Sequence, residues 1–336
     1  MKRLISSVLA GFGFFQVAGL FSQDMPLTQV LIKGEDWEAV SEGHGFTDGL
    51  CTNAYGDLYF SDVKDGTAIY RIDKDGKRSD FVKDIAGVSG LQWGVDGRLY
   101  VCVARGRRIV SFSKNGDDMR VLAEEIRPND LVVTHDGNLY FTMTPTSEIR
   151  RIDPDGKMTV VDSGTINRPN GITLSPDHGT LAVSDHGGKH VWAFQIAKDG
   201  TLKHPGNYMT MRTPEADPEV AKGDGMATDV HGRYYVTTAE GLQMFDPTGR
   251  MSGVIAKPQD ANLVSVCFAG PNHEFLYVAC GDKVFRRKTK TRGALFFQKP
   301  HPAEKFVEPK KQAAEALFED DPTSIAKAGF EVLKAE

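Results

Sequence analysis

A short strand-like pattern recurs six times along this chain and restricts the folds open to it. Leu58-Tyr-Phe-Ser-Asp and Leu139-Tyr-Phe-Thr-Met illustrate the pattern. The six copies begin at Leu58, Leu99, Leu139, Leu181, Tyr234 and Leu276. Turns such as Asp96-Gly97 precede most copies, and Asp-Gly pairs favour tight antiparallel hairpins. A repeat of about 40 residues that holds about four short strands is typical of one β-propeller blade.

The repeat predicts an all-β chain with one six-bladed β-propeller, four antiparallel strands per blade, over residues 30–300. One blade cannot bury both of its faces, whereas six in a ring cover each other. Ring closure needs a strand from the opposite terminus, and residues 29–33 or 37–40 are the candidates, with 294–298 also expected in the last blade. Residues 301–336 break the repeat, and their spacing predicts a short helical C-terminal tail without an assigned function.

Residues 1–22 are predicted to form a signal peptide. Lys2 and Arg3 precede an uncharged apolar run over residues 4–20, and small residues at Gly19 and Ser22 suit cleavage. A membrane anchor is the alternative, but this run is marginal for a hydrocarbon core of about 30 Å. We therefore expect a secreted or periplasmic protein without membrane association after cleavage.

Composition argues against a nucleic-acid partner, because the chain has 40 Lys and Arg residues and 45 Asp and Glu residues, which gives a net charge of −5. Four cysteines lack the close spacing of metal ligands. Four buried thiols are the favoured interpretation, and a disulfide between Cys267 and Cys280 is the alternative. The sequence does not indicate an oligomeric state.

The repeat also predicts where a site lies. Counting about ten residues back from each copy gives equivalent positions at the start of each inner strand. These are Asp48, Ser89, Asn129, Asn170, Asp224 and, in the last repeat, Val264 or Ser265. Equivalent residues of a propeller converge on its axis, and oxygen-bearing side chains favour a hard divalent cation. Strand capping is the alternative for any one of them, but five at one blade position favour a site.

Four motifs resemble the SMP-30/gluconolactonase/LRE-like family: Phe46-Thr-Asp-Gly-Leu, Arg127-Pro-Asn-Asp-Leu, Arg168-Pro-Asn-Gly-Ile and Gly223-Asp-Gly-Met-Ala-Thr-Asp. The resemblance runs through residues 44–295. Its members are six-bladed propellers with one divalent metal on the axis, and many hydrolyse lactones. The resemblance implies that the metal ligands are Asp48, Asn170 and Asp224. It also implies that Asp224 is the catalytic proton acceptor, that Arg127 and Asn129 contact substrate, and that Asp130 assists. The family's metal carboxylate usually stands in Glu-Gly-Pro; Asp48-Gly49 is the preferred match and Glu42 a competing one.

These observations predict an exported metal-dependent hydrolase, a lactonase that opens a sugar lactone or a similar small cyclic ester. Ca²⁺ is the favoured metal, with Mg²⁺, Mn²⁺ or Zn²⁺ as alternatives. The alternative function is a non-catalytic propeller that binds a ligand or a protein, since propellers host both roles. His186 is interpreted as a solvated loop histidine or a proton shuttle, and residues 208–212 as a lid or an idle loop.

Overall fold

The computed structural model describes residues 25–306, which form six four-stranded antiparallel sheets. The first strand, β1 (Glu38–Ser41), belongs to the last sheet. Blades 1 to 3 contain β2 (Thr47–Thr52), β3 (Leu58–Asp62), β4 (Ala68–Ile72), β5 (Arg78–Lys83); β6 (Val88–Trp93), β7 (Leu99–Val103), β8 (Arg108–Phe112), β9 (Arg120–Glu124); β10 (Leu131–Val133), β11 (Leu139–Met143), β12 (Glu148–Ile152) and β13 (Met158–Ser163). Blades 4 to 6 contain β14 (Pro169–Leu174), β15 (Thr180–Asp185), β16 (His190–Ile196), β17 (Leu202–Thr210); β18 (Met226–Thr228), β19 (Tyr234–Thr238), β20 (Gly241–Phe245), β21 (Met251–Ile255); β22 (Leu263–Ala269), β23 (Phe275–Cys280) and β24 (Lys283–Lys288). Three short 3₁₀ helices are Leu27–Gln29, Thr144–Thr146 and Pro271–His273.

The repeated sequence pattern is the second strand of each blade, which explains its composition. In β3 all five residues are buried, because a middle strand is covered by the neighbouring blades on both faces. Phe60 and Val101, on the second strands of blades 1 and 2, are fully buried. Burying one such side chain stabilises the fold by about 1.5–3 kcal/mol. The six-bladed, four-stranded propeller predicted from the sequence is confirmed.

The ring closes through β1, which pairs antiparallel with β24 as the outer strand of blade 6. Glu38 lies opposite Arg286 in this ladder, and their side chains form an ion pair of 2.9 Å. Of the two predicted closing segments, residues 37–40 therefore supply the strand, while Leu31 makes only an isolated bridge to Thr289.

Residues 293–297, here called the strap, do not add a strand to blade 6 as the sequence suggested. Gly293 bridges to Asp229 of blade 5, and the rest of the strap lines the central channel. It lies in the lower part of the channel, where the inner strands end; the face at which the inner strands begin is called the upper face. Phe296 packs in the core cluster between blades 3 and 4, and Phe297 packs against the cluster between blades 1 and 2. The strap therefore spans the channel and contacts blades on both sides of it.

The four cysteines are buried and free. Cys267 lies opposite Tyr277 and Cys280 opposite Leu263 in the β22–β23 ladder, so these two thiols sit at different levels of the hairpin. The disulfide alternative is therefore wrong for this structure. The predicted signal peptide and nearly all of the predicted helical tail lie outside the described residues, and 301–306 contain no helix. In the described range, no helix is long and apolar enough to cross a bilayer.

Candidate active site

A polar cavity lies on the propeller axis where the inner strands begin. All six blades contribute to its lining through Asp48, Ser89, Asn129, Asn170, Asp224 and Ser265. The structure thus brings together the three residues that the sequence analysis named as metal ligands, and Asn129 beside them. Arg127 does not line this cavity; it is exposed and makes no side-chain hydrogen bond or ion pair within residues 25–306.

Glycines next to the site residues let neighbouring blades approach closely. A Cβ on Gly171 would lie 2.1 Å from the carbonyl oxygen of Asp224, which real Cβ atoms do not tolerate. Gly49 follows Asp48 with a φ of +59°, and its Cβ would lie 2.4 Å from the carbonyl oxygen of Ser89. The backbone contact between blades brings their first side chains to one point on the axis.

Hydroxyl groups on the second strands hold the starts of the inner strands of the next blades in position. The sequence motifs did not reveal this role. The Thr142 hydroxyl of blade 3 donates to the Asn170 carbonyl of blade 4 at 2.6 Å. The Ser184 hydroxyl of blade 4 donates to the Asp224 carbonyl of blade 5 at 2.9 Å. The Ser61 hydroxyl of blade 1 donates similarly to the Val88 carbonyl of blade 2 at 2.8 Å, one residue before Ser89. The Ser or Thr at the fourth position of the repeated pattern was the available signal.

Asp130 is a third carboxylate in the cavity, although the sequence motifs implied only an assisting role for it. It occupies the place that Gly49 and Gly225 hold in blades 1 and 5, directly after the aligned position. Its Oδ1 accepts from the Leu131 N–H at 2.8 Å and its Oδ2 from the Ile172 N–H at 3.4 Å. Asp130 therefore links the inner strands of blades 3 and 4 below the cavity mouth.

Burial makes this cavity unfavourable for negative charge. It raises the pKa of Asp224 to about 8, and the nearby Asp130 carboxylate adds to the shift. Burial also raises the pKa of Asp48 well above its usual range, with repulsion from Asp224 as the next cause. The pKa of Asp130 rises to about 7, again mainly through burial. Three acids held together without a neutralising cation would repel one another if all were ionised.

His186 belongs to the site, so its interpretation as a solvated loop residue is wrong. Its side chain is 26% exposed, and its Nδ1 lies 3.7 Å from Asp224 Oδ2 and 3.3 Å from the Asn170 amide nitrogen. Burial lowers the pKa of His186, with the positive charge of Arg168 as the next cause. The imidazole is therefore neutral at pH 7 and available to hold or pass a proton beside Asp224.

The donor set fits a hard divalent cation. Carboxylate oxygens of Asp48 and Asp224 and the amide oxygen of Asn170 are oxygen ligands of the kind that Ca²⁺ and Mg²⁺ prefer, and a cation would offset the repulsion between the acids. Within residues 25–306, no group of three or more His, Cys, Asp or Glu side chains is arranged as a ready metal shell. Any cation here would accordingly use the amide oxygen together with the carboxylates.

A cleft of about 340 Å³ opens beside the cavity toward the upper face. It is lined by Phe46, His186, Lys222, Asp224, Thr238, Ala239, Lys257, Asn262, Leu263 and Val264. Because Asp224 lines both spaces, the cleft leads directly to the axial acids. Its volume matches pockets that bind small molecules.

Residues 208–212 do not form a lid over this cleft. Met209 and Met211 are 0% and 2% exposed and pack in the core cluster between blades 4 and 5. Tyr208 contacts Tyr234 edge-on at 6.1 Å, and its hydroxyl donates to the Pro247 carbonyl. These residues hold two blades together.

Fold and site together define a six-bladed propeller with a buried oxygen-rich centre on its axis. Residues 46–281 match the SMP-30/Gluconolactonase/LRE-like region, and the chain belongs to this family. The resemblance found in the sequence motifs is confirmed.

Two curated relatives are enzymes by name. A gluconolactonase from Zymomonas mobilis is 28% identical over 231 residues, which cover 62% of this chain and 64% of the relative. Lactonase drp35 from Staphylococcus aureus is 26% identical over 190 residues, covering 52% of this chain and 58% of the relative. The matched part thus spans less than two thirds of each relative.

Solved structures share the fold. A gluconolactonase from Xanthomonas campestris superposes with a TM-score of 0.69 at 22% identity, over 78% of this chain and 92% of that one. Regucalcin from Agrobacterium tumefaciens, described as a calcium-binding protein, superposes with a TM-score of 0.65 at 16% identity, over 79% and 98% of the two chains. At these identities the likeness establishes the propeller.

Proposed function

We propose that this protein is a metal-dependent lactonase that hydrolyses a sugar lactone or a similar small cyclic ester. The observation that carries the proposal is the meeting of Asp48, Asn170 and Asp224, from three different blades, in one buried axial cavity of a chain of this family. A plain binding surface has no need of partly buried carboxylates that repel each other, whereas a cation-dependent hydrolase does.

Asp48, Asn170 and Asp224 would hold the cation, with Ca²⁺ favoured by their hard oxygen atoms and by the calcium-binding description of regucalcin. Mg²⁺, Mn²⁺ and Zn²⁺ are the alternatives. The bound cation would polarise the lactone carbonyl. Each remaining step belongs to side chains of this protein.

Asp224 is the proposed general base. Beside a cation its carboxylate stays ionised, because the positive charge offsets the burial that otherwise raises its pKa. Asp224 Oδ2 accepts the proton of the attacking water, the new C–O bond forms, the ring C–O bond breaks, and the proton passes to the leaving ring oxygen. His186 Nδ1, 3.7 Å from Asp224 Oδ2, is placed to assist this transfer.

Asn129 and Arg127 are the proposed substrate contacts. Asn129 lines the cavity, while Arg127 is two residues away and free to reach toward a bound ligand with its planar guanidinium donors.

We also propose that the chain is exported after cleavage near residues 20–23, as the predicted signal peptide implies. The intact mass of protein recovered outside the cytoplasm tests this.

The deciding experiment is hydrolysis of a lactone panel by metal-depleted protein to which Ca²⁺, Mg²⁺, Mn²⁺ or Zn²⁺ is returned singly. We expect ring opening of at least one sugar lactone, restored by Ca²⁺ and absent with the chelator. Hydrolysis that is insensitive to chelation contradicts the metal, and no hydrolysis with any cation favours a binding propeller.

A further inference from the structure

The cleft above the axial acids carries positive charge that the proposed lactonase reaction does not use. Lys222 and Lys257 both line it, from the two loops that lead into the inner strands of blades 5 and 6. Among residues 25–306, Asp224 of the axial centre is the sole acidic residue that lines this cleft. The whole chain carries a net charge of −5, so this concentration of lysines at the site is local.

Lys222 stands on a backbone that is held in an uncommon conformation. Its φ is +54°, a left-handed value that a residue with a Cβ adopts at a cost. Ala221, directly before it, is fully buried; its N–H donates to Gly188 at 3.0 Å and its carbonyl accepts from Ala239 at 3.0 Å. The side chain is exposed and forms no ion pair within the described residues. The fold therefore fixes the base of Lys222 and leaves its ammonium group available.

Lys257 is held more deeply, with a side chain that is 25% exposed. Within the described residues it forms one ion pair, with Asp260, which is 3.9 Å away and fully exposed, so this pairing is weak and solvent-screened. The preceding carbonyl, that of Ala256, accepts from the Trp37 indole at 2.9 Å, which anchors the loop to the N-terminal segment. Lys257 thus supplies a second ammonium group with little local compensation.

We propose that this cleft binds an anionic group, a carboxylate or a phosphate, that the substrate carries at a distance from its lactone carbonyl. The inference rests on the proposed lactonase function and names its substrate class as an acidic sugar lactone. Phe46 gives the cleft an apolar wall for the sugar ring, and Asp224 marks its reactive end. Lys222 and Lys257, which line the same cleft, suit an anion through charge-assisted hydrogen bonds.

The test compares three lactones with the same ring on the Ca²⁺-loaded protein: glucono-1,5-lactone, its 6-phosphate, and glucaro-1,5-lactone, which carries a carboxylate at that position. We expect kcat/KM to be about tenfold higher for an anionic lactone than for the neutral one, the scale of one charge-assisted contact. The better of the two anionic lactones identifies the group as phosphate or carboxylate.

Lys222→Gln and Lys257→Gln should each lower the ratio of anionic to neutral kcat/KM by about three- to tenfold. Lys77→Gln is the matched control, because Lys77 is exposed on the β4–β5 hairpin at the opposite face and should leave the ratio unchanged. An equal fall for all three lactones would show that the lysines serve the shared lactone or its product carboxylate, and overturns the proposal. Equal wild-type rates for the three lactones also overturn it.

Calorimetric binding of gluconate, glucarate and 6-phosphogluconate separates this inference from the lactonase proposal. Tighter binding of glucarate or 6-phosphogluconate than of gluconate, lost in Lys222→Gln, supports the anion cleft even if no lactone is hydrolysed. Equal binding of all three acids overturns the anion cleft, while hydrolysis of the neutral lactone alone would leave the lactonase proposal standing.

Discussion

The Ser184 hydroxyl of blade 4 donates to the backbone carbonyl of Asp224 in blade 5, at 2.9 Å. The same Oγ accepts from the Gly171 N–H at 2.9 Å, so one hydroxyl links the inner strand of its own blade to the site residue of the next. The position of the proposed general base is therefore set partly by a neighbouring blade.

Ser184→Ala is expected to lower both stability and activity. The Asp224 carbonyl and the Gly171 N–H lose a buried partner, which costs about 1–3 kcal/mol of unfolding free energy. Urea denaturation measures the first effect and lactone kinetics the second. Ser79→Ala, on the exposed outer strand β5, is the control. Unchanged stability and kinetics in Ser184→Ala would show that this hydroxyl does not position Asp224.

Asp224→Asn should reduce lactone hydrolysis by about 10²-fold or more, the usual scale for a lost general base, and leave the propeller folded. Asn keeps the size and one oxygen, so metal affinity should fall only modestly. Circular dichroism and metal titration accompany the kinetics. Asp75→Asn, on the exposed β4–β5 hairpin, is the control. Near-wild-type hydrolysis in Asp224→Asn would move the base to His186 or Asp130.

Metal removal should expose the repulsion between the axial acids in a pH-dependent way. The pKa of Asp224 is raised from 3.8 to about 8 in the folded protein, so its contribution to stability is full below about pH 4 and lost as pH rises toward 8. The Tm of chelated wild-type protein minus the Tm of Asp224→Asn should therefore be lower at pH 8 than at pH 5. Ca²⁺ should raise the wild-type Tm more at pH 8 than at pH 5. A Tm difference that is independent of pH contradicts this.

His178 should give the opposite pH dependence at the lower face. Its Nδ1 accepts from the His135 N–H at 3.2 Å, and burial lowers its pKa from 6.5 to about 4. Stability from this group is full above pH 6.5 and lost as pH falls toward 4. His178→Asn tolerates the left-handed φ of +57° there. The wild-type advantage over His178→Asn in thermal melting should shrink between pH 7 and pH 4.5; a constant advantage would contradict the assignment.

Arg127→Ala should weaken substrate binding more than metal binding. A guanidinium cannot ligate a cation, whereas it can pair with the oxygens of a lactone. Kinetics should show a higher KM, and calcium titration an unchanged affinity. An equal loss of calcium affinity would assign Arg127 a structural role.

The sequence was sufficient for the fold because its strongest signal, the strand of Leu58 and its five counterparts, is local and repeated. That register also located Asp48, Asn170 and Asp224 at one level of the ring. It could not show that the His186 loop folds back onto Asp224, or that Arg127 does not line the cavity, since these depend on contacts between blades. The strap was misassigned because the apolar run at Leu295 and Phe296 suits an outer strand and a channel plug equally.

The strap obstructs the lower part of the central channel. Its residues cross the lower channel between blades, with Phe296 and Phe297 packed into cores on either side. A ligand that reaches Asp224 from the upper face therefore leaves through the same upper opening. Departure of one ligand must then precede entry of the next.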